Sequence, residues 1–393
     1  MIVATQALRA PLAEPQQEAA AIPLPAPIMR TASWSSFDAP DARAAWDKLA
    51  QRASEPNPFF ESWYLLPALR TQDPDQSVTL LCAEQNGALI GLLPIRLERR
   101  YYQRPVPHLA SWHHPNCFLG APLVAAGQER PFWQALLEWA DRNPGSGLFL
   151  HLPQLPLAGP LYAALIDELR AQGRFAALVH REDRAMLASD LSADAYLEAA
   201  LSGKKRKELR RQFARLSELG DIQFERRTDA AGLERWVDDF LALEHSGWKG
   251  AAGSALASHH ATTLLFREGL AGAAAHGRLE RLTLTLDGEP IAMLASFLTP
   301  PGAFSYKTAF DERFSRFSPG VLLQRENLAM LDHPAVRWTD SCAAADHPMI
   351  DHIWRERRAI GRVSIAIGGP LRRFAFRLIA KAELGRNPAG LTP

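Results

Sequence analysis

The sequence predicts an α/β protein, with α+β mixed sheets flanked by helices and the architecture repeated along the chain. Three observations carry this expectation. The chain has 393 residues, too many for one ordinary core, so two domains of roughly 150–190 residues are expected. Short apolar or alternating strand patterns are interleaved with amphipathic helical ones. A strand–turn–strand unit also occurs once in each half: Val78–Cys82, Asn86-Gly87 and Leu89–Ile95, then Leu282–Leu286, Asp287-Gly288 and Ile291–Phe297. Asn-Gly and Asp-Gly supply the positive φ angles of a tight hairpin, and two such hairpins in register point to duplication.

Composition narrows the function classes. The hydrophobic fraction of 47% and charged fraction of 22% are those of a globular protein, and a net charge of +1 gives no global attraction to nucleic acid or membrane. Cys82, Cys117 and Cys342 lie far apart, which fits neither a zinc knot nor a disulfide framework. No apolar run is long enough to span a bilayer. Residues 1–30 are rich in Ala, Pro and Gln and lack the basic start and apolar run of a signal peptide, so a disordered leader and a cytoplasmic location are expected. The expected domains are 31–190 and 191–370, with 371–393 as a C-terminal tail that frays from Gly385.

Within the first half, Cys117–Val124, Leu148–Leu152 and Phe175–His180 have strand patterns. Pro131–Arg142 and Leu161–Arg170 have helical ones, the latter stopped by Gly173. In the second half Ser192 is placed to cap a helix through Leu201, and Ser202-Gly203 to kink or restart it. Leu209, Phe213 and Leu216 carry an apolar stripe toward Gly220. A strand at Ile222–Phe224 and helices at Leu233–His245 and Thr262–Ala275 follow.

The segment closest to chemistry is a strand at Phe304–Phe310, a connection at Asp311–Phe317, and Ser318-Pro319-Gly320 opening a helix over Val321–Leu331. Serine is a good N-cap and proline favours the first helical position. Gly320 presents no side chain to a ligand. Free N–H groups of Gly320, Val321 and Leu322 at the positive end of the helix dipole would suit a phosphate. An ordinary helix start explains the same residues.

Several stretches together resemble the GNAT-type acyltransferases with CelD-like or BioF2-like domains, which are related to the Fem-type aminoacyl transferases. They are Leu243-Glu244-His245-Ser246-Gly247-Trp248-Lys249-Gly250, Gly253–Leu256, Ser305-Tyr306-Lys307-Thr308-Ala309-Phe310-Asp311, Phe317–Gly320, Asp340-Ser341-Cys342 and Ile353–Arg358. The resemblance covers roughly residues 190–360 and reaches faintly back to about residue 55. It implies a tandem GNAT-like fold and acetyl-CoA or another acyl-CoA as co-substrate. It further implies a diphosphate seat at Phe317, Ser318, Pro319, Gly320, Val321 and Leu322, and frequent association with exopolysaccharide or cellulose production. The chain departs from the wider GNAT pattern in having Ser-Pro-Gly where an arginine- or glutamine-led loop is usual.

Acyl transfer needs a placed thioester, a polarised carbonyl and a base for the acceptor's proton. Lys307, mid-strand among apolar and aromatic residues, either serves an anionic group or pairs with Asp311 or Asp340. Glu244 is a candidate base, or a structural carboxylate at a helix end. Asp311 is a second candidate or a turn residue, and Asp340, at the end of the next strand, is a third. Trp248, Lys249 and Tyr306 are candidates for the acceptor pocket, with a core role open for Trp248. Cys342 fits a small core residue. Lys204-Lys205-Arg206-Lys207-Glu208-Leu209-Arg210-Arg211 could meet phosphates, an anionic acceptor or RNA, or simply form a solvated helix face. His113-His114 and His259-His260 are adjacent pairs whose side chains point apart, so no metal is expected. The expected partner is a small-molecule or saccharide acceptor, with no nucleic-acid partner. An aminoacyl-tRNA-dependent transferase and a non-catalytic protein that keeps the fold are the competing expectations.

Overall fold

The computed structural model describes residues 25–385. In chain order these form β1 (Ile28–Ala32), α1 (Pro40–Gln51), α2 (Ser62–Gln72), β2 (Thr79–Gln85), β3 (Ala88–Glu98), β4 (His108–Ser111), β5 (Leu123–Val124), α3 (Glu129–Arg142), β6 (Phe149–Pro156), α4 (Gly159–Ala171), β7 (Ala176–Leu187) and α5 (Ala193–Ala200). They continue as α6 (Gly203–Ser217), β8 (Ile222–Arg227), α7 (Leu233–Ser246), α8 (Trp248–Ala251), α9 (His260–Ala275), β9 (Leu279–Leu286), β10 (Glu289–Thr299), β11 (Gly302–Phe310), α10 (Pro319–Glu326), β12 (Trp338–Asp340), β13 (Glu356–Ala366) and α11 (Pro370–Leu384).

Both expected hairpins form for the expected reason. Asn86 and Gly87 have φ of 51° and 75°, and Asp287 and Gly288 have φ of 52° and 84°. That double left-handed turn closes Gln85 on Ala88 and Leu286 on Glu289. Ser192 and Ser202 cap α5 and α6 by accepting the Ala195 and Lys205 N–H groups.

All the strands join one sheet in the order β1-β2-β3-β4-β6-β13-β7-β12-β11-β10-β9-β8, with β5 paired to β3. The order is nearly palindromic. Each half has an outer strand, a hairpin, a third antiparallel strand and then a parallel neighbour: β4 beside β6, and β11 beside β12. The two inner strands are exchanged. β13, from the C-terminal end of the chain, pairs with β6, while β7, from the first half, pairs with β12. β7 and β13 pair with each other along most of their length, so neither half completes its sheet alone.

Several expectations are corrected. The leader expected over residues 1–30 includes Ile28–Arg30, which belong to β1 and pair with β2; residues 1–24 lie outside the described residues. The tail expected over 371–393 is helix α11 as far as Leu384, anchored by Phe376 against Phe149, and residues 386–393 lie outside the described residues. Only Leu123–Val124 of the expected Cys117–Val124 strand pairs. The strand expected to end at His180 continues to Leu187, because Arg181–Arg184 are strand residues despite their charge.

The exchanged strands meet in a buried ionic cluster. Asp340, fully buried at the end of β12, faces Arg184 Nε of β7 at 3.2 Å and accepts a hydrogen bond from Arg358 Nη1 of β13 at 2.8 Å. Arg358 also donates to Glu55 from the first half and stacks over Trp338 at 4.3 Å. Burial holds the Glu55 carboxyl above its usual range, while Arg358 pulls the other way. Removing one partner of such a cluster leaves an uncompensated buried charge. Arg358→Leu should therefore cost about 3–5 kcal/mol of unfolding free energy, measured by urea denaturation. A loss below about 1 kcal/mol, the level of a surface pair, would show that the cluster does not hold the exchanged strands.

Candidate active site

The site begins with a gap in the sheet. β11 and β12 pair in parallel only at Gly302–Trp338, Ala303–Thr339 and Phe304–Asp340. β12 then stops while β11 runs on to Phe310, so the edge of β11 from Ser305 onward faces no strand on that side. On its other side the pairing with β10 slips, with Ala295 opposite Lys307 and Ser296 opposite Ser305. Tyr306 is thus the extra residue of a bulge, a feature that bends a strand and re-aims its side chains.

Side chains from both halves converge on this stretch. Tyr306 is buried, and its hydroxyl lies 3.1 Å from that of Tyr64 on α2, which donates to the Asn116 carbonyl at 2.6 Å. Burial holds the Tyr306 phenol well above its ordinary pKa. Lys307 Nζ lies 5.1 Å from the ring centre of Phe118 and 5.7 Å from that of Tyr306. Among the described residues no carboxylate is within ion-pair distance of it. Burial first, then repulsion from Lys249, lowers the Lys307 pKa from 10.5 to about 8, with Glu244 opposing. The expected alternative, a pair with Asp311 or Asp340, is not formed, because both carboxylates are engaged elsewhere.

The carboxylates named as base candidates are all tied up. Glu244 is buried at the end of α7; Oε1 accepts from Lys249 Nζ at 2.8 Å and Oε2 from the Leu256 N–H at 2.8 Å. Asp311 accepts from the backbone and guanidinium of Arg313, which holds its carboxyl below the usual range and makes it a cap for the short helical turn at Glu312–Phe317. Asp340 has one oxygen against Arg184 and the Cys342 N–H and the other on Arg358, so it is a counter-ion rather than a free base. Cys342 is buried and burial raises its thiol pKa, which fits a core residue. Trp248 is 60% exposed, so its core reading fails. It stands with Lys249, Glu244 and Thr308 around a pocket of only about 30 Å³, room for one water molecule.

The helix start differs from the expected open phosphate seat. Ser318 is in the left-handed region at φ 54° and makes no side-chain cap. Its carbonyl takes the N–H groups of Val321 and Leu322 at 2.9 and 3.0 Å. Of the three amides expected to be free, this leaves that of Gly320. Phe317 is buried with Leu322 and Leu323 in an apolar cluster, and Pro319 is buried as well. Gly320 is covered too: a Cβ there would lie 2.7 Å from Met349 Sδ and 3.3 Å from Phe310. Met349 belongs to the segment between β12 and β13, which the local Ser-Pro-Gly pattern could not reveal. The open space that the expected seat needs beside the Gly320 Cα is therefore taken by Met349 and Phe310. The basic run forms α6, which packs Phe213 and Leu216 beside Phe317 and Leu322. Lys204, Lys205, Lys207, Arg210 and Arg211 remain exposed.

Sequence reasoning missed Arg184, Arg358 and Glu55, whose roles depend on the strand exchange. It also missed Tyr64 and Phe118, which reach the site from the first half. The available signal was charge inside strand-like runs, since a buried arginine requires a partner. Among the described residues, no helix is long and apolar enough to cross a membrane. Nor does any group of three or more His, Cys, Asp or Glu among them have a metal-binding arrangement.

Comparison with known proteins agrees with this geometry. Residues 203–347 match the family described as Acetyltransferase (GNAT) domain. FemX superimposes with a TM-score of 0.53 at 10% identity, covering 86% of this chain and 98% of that one. The C-terminal domain of a putative lysylphosphatidylglycerol synthetase from Agrobacterium fabrum superimposes with a TM-score of 0.51 at 13% identity, covering 87% and 95%. A conserved protein of unknown function from Bacteroides thetaiotaomicron gives 0.53 at 10% identity, covering 82% and 97%. No curated protein matches the sequence. Residues 203–347 therefore match a GNAT acetyltransferase domain, and the chain as a whole has a fold similar to that of FemX, with two similarly ordered halves.

Proposed function

We propose that the protein is an acyltransferase that moves an acetyl or other acyl group from an acyl-CoA to an amine or hydroxyl of a small metabolite, sugar or exopolysaccharide precursor in the cytoplasm. The observation that carries this reading is Lys307: a half-buried lysine without a carboxylate partner, on the bulged edge of β11 where β12 has ended. A lysine that loses its proton near pH 8 can take one from an attacking nucleophile. The acyl-CoA supplies the activated thioester carbonyl. Lys307 accepts the proton that the acceptor releases as its nitrogen or oxygen bonds to that carbonyl. The C–S bond then breaks, and the CoA thiolate leaves with the proton returned by the Lys307 ammonium, while Tyr306, whose hydroxyl donates to Tyr64, lines the site. Lys249, whose charge helps keep Lys307 neutral, and exposed Trp248 lie on the acceptor side.

An aminoacyl-tRNA donor is the second reading. It is favoured by the exposed cations of α6 beside α10. Acetyl-CoA and aminoacyl-tRNA can be supplied as parallel donors in one assay.

The pH dependence follows from the depressed lysine pKa. Activity should rise through about pH 8 as Lys307 becomes neutral. Lowering the pKa from 10.5 to about 8, at about 1.4 kcal/mol per tenfold change in proton affinity, puts the penalty for holding the cation at roughly 3 kcal/mol. That penalty is full below about pH 8 and fades toward 10.5. Lys307→Met should thus melt at or above wild type at pH 7, with the difference shrinking toward pH 10. It should lower CoA-thiol release in an acceptor panel by about 10²–10⁴-fold. Unchanged turnover would remove Lys307 from the mechanism.

The helix start gives a separate expectation. Met349→Ala should tighten acetyl-CoA binding in calorimetry by uncovering Gly320, and Gly320→Val should weaken it. Equal affinity in both variants and wild type would exclude Phe317–Leu322 as the diphosphate seat.

A further inference from the structure

The first half contains its own gap. β4 and β6 pair in parallel only at Leu109–Leu150 and Ala110–His151, the counterpart of the short β11–β12 pairing. Here the space is a cavity of about 320 Å³, lined by Tyr101, His108, His113, His151, Gln154 and Arg362 among others. That volume suits a small ligand, and nothing described above uses the cavity.

Its polar atoms specify the ligand. His113 hydrogen-bonds the Cys117 backbone through its ring, and its Nε2 is buried with no partner. That nitrogen is therefore an acceptor awaiting a donor. Gln154 Oε1 is a second buried acceptor with no partner on the same cavity. His108 Nδ1 lies 3.2 Å from the Val106 carbonyl, so it is protonated and leaves His108 Nε2 as a further acceptor. His151 Nδ1 is occupied by Ser364 Oγ at 2.9 Å. Burial lowers His113 to about 4 and His151 to about 3, so both are neutral near pH 7. The histidines are not arranged as a metal site.

Two arginines and one carboxylate line the cavity. The arginines are Arg362, held by the Tyr102 hydroxyl at 2.8 Å, and Arg100. Among the lining residues the one carboxylate, Glu98, is bound by Arg96, while Glu383, just behind the wall, accepts from the Tyr101 hydroxyl. Burial raises the Glu383 carboxyl pKa, and the Tyr101 hydrogen bond and the nearby Arg362 pull against that rise. Tyr101 is packed among Tyr102, His108, Phe149 and His151, and the exposed aromatic ring on the wall is that of Tyr102. Unpaired acceptors call for hydroxyl donors, an aromatic wall suits a sugar ring, and a guanidinium with no carboxylate hydrogen-bonded to it suits an acid group.

We propose that this cavity is a binding site for an anionic monosaccharide, with ring hydroxyls donating to His113 Nε2 and Gln154 Oε1, the ring against Tyr102 and the acid group on Arg362. The proposal is independent of the acyl-transfer reading, since it concerns binding in the other half and is measured without turnover.

Calorimetry on the full chain with glucose 1-phosphate, glucuronate, glucose and inorganic phosphate tests it. At least one of the two acidic sugars should bind, with glucose and phosphate each at least about tenfold weaker, the loss expected for one charge-assisted or hydroxyl hydrogen-bond set. Gln154→Met removes an acceptor that has no partner in the protein, so it should fold normally and weaken the acidic sugar by about tenfold. Arg362→Leu should reduce the preference of the acidic sugar over glucose. Absence of binding by both acidic sugars up to about 10 mM, weaker than any useful affinity, overturns the proposal. So does phosphate binding as tightly as glucose 1-phosphate, or wild-type affinity in Gln154→Met.

Discussion

Asp340 is the point on which the architecture turns. A carboxylate at the end of a strand, fully buried, can persist only with its charge compensated. Compensation comes from Arg184 and Arg358, one on each exchanged strand. The same contact that balances the charge seats β7 against β12 and draws β13 toward the first half through Glu55. β12 ends at this cluster after three residues, and its short length opens the edge of β11. The candidate active site is therefore a consequence of where the buried charges are satisfied.

The gap is lined by both halves, which limits how far they can be treated as separate modules. Phe118 and Tyr64 come from the first half and Tyr306 and Lys307 from the second. Gly269 and Gly272 of α9 sit close to Tyr64 and Trp63 of α2, so the two helices pack tightly beside the aromatic cluster. Within this cluster Lys307 is the one cation facing rings rather than carboxylates. A cation over an aromatic face gains less than it would from a buried ion pair, and the balance tips toward the neutral amine. The carboxylates nearby follow the opposite rule: each has donors for its oxygens and remains a structural element.

What the sequence made legible was local. The Asn-Gly and Asp-Gly hairpins, the Ser192 and Ser202 caps and the helices expected from Pro131 and Leu233 depend on neighbouring residues, and all are present, the first of these helices starting two residues earlier at Glu129. Lys307 stood out because a lysine inside a strand is costly wherever the strand goes. The strand exchange was hidden, because β13 takes its place from the register of β6 and β7, and its Arg357-Arg358 start has no strand signature. The seat at Gly320 was misjudged for the same reason. The pattern was right that a helix starts at Pro319, but Ser318 does not cap it, and Met349, distant in sequence, packs against Gly320. The partners of Glu244, Asp311 and Asp340 likewise required a fold before they could be named.

The most direct test is the protonation of Lys307 itself. Carbon-13 NMR of lysine labelled at Cε, with Lys307→Met used to assign the signal, follows that group through a pH titration with and without acetyl-CoA. A midpoint near 8 that moves when acetyl-CoA is added is the predicted result. A midpoint near the ordinary 10.5, indifferent to acetyl-CoA, would contradict the view that the open edge of β11 is where this protein does its chemistry.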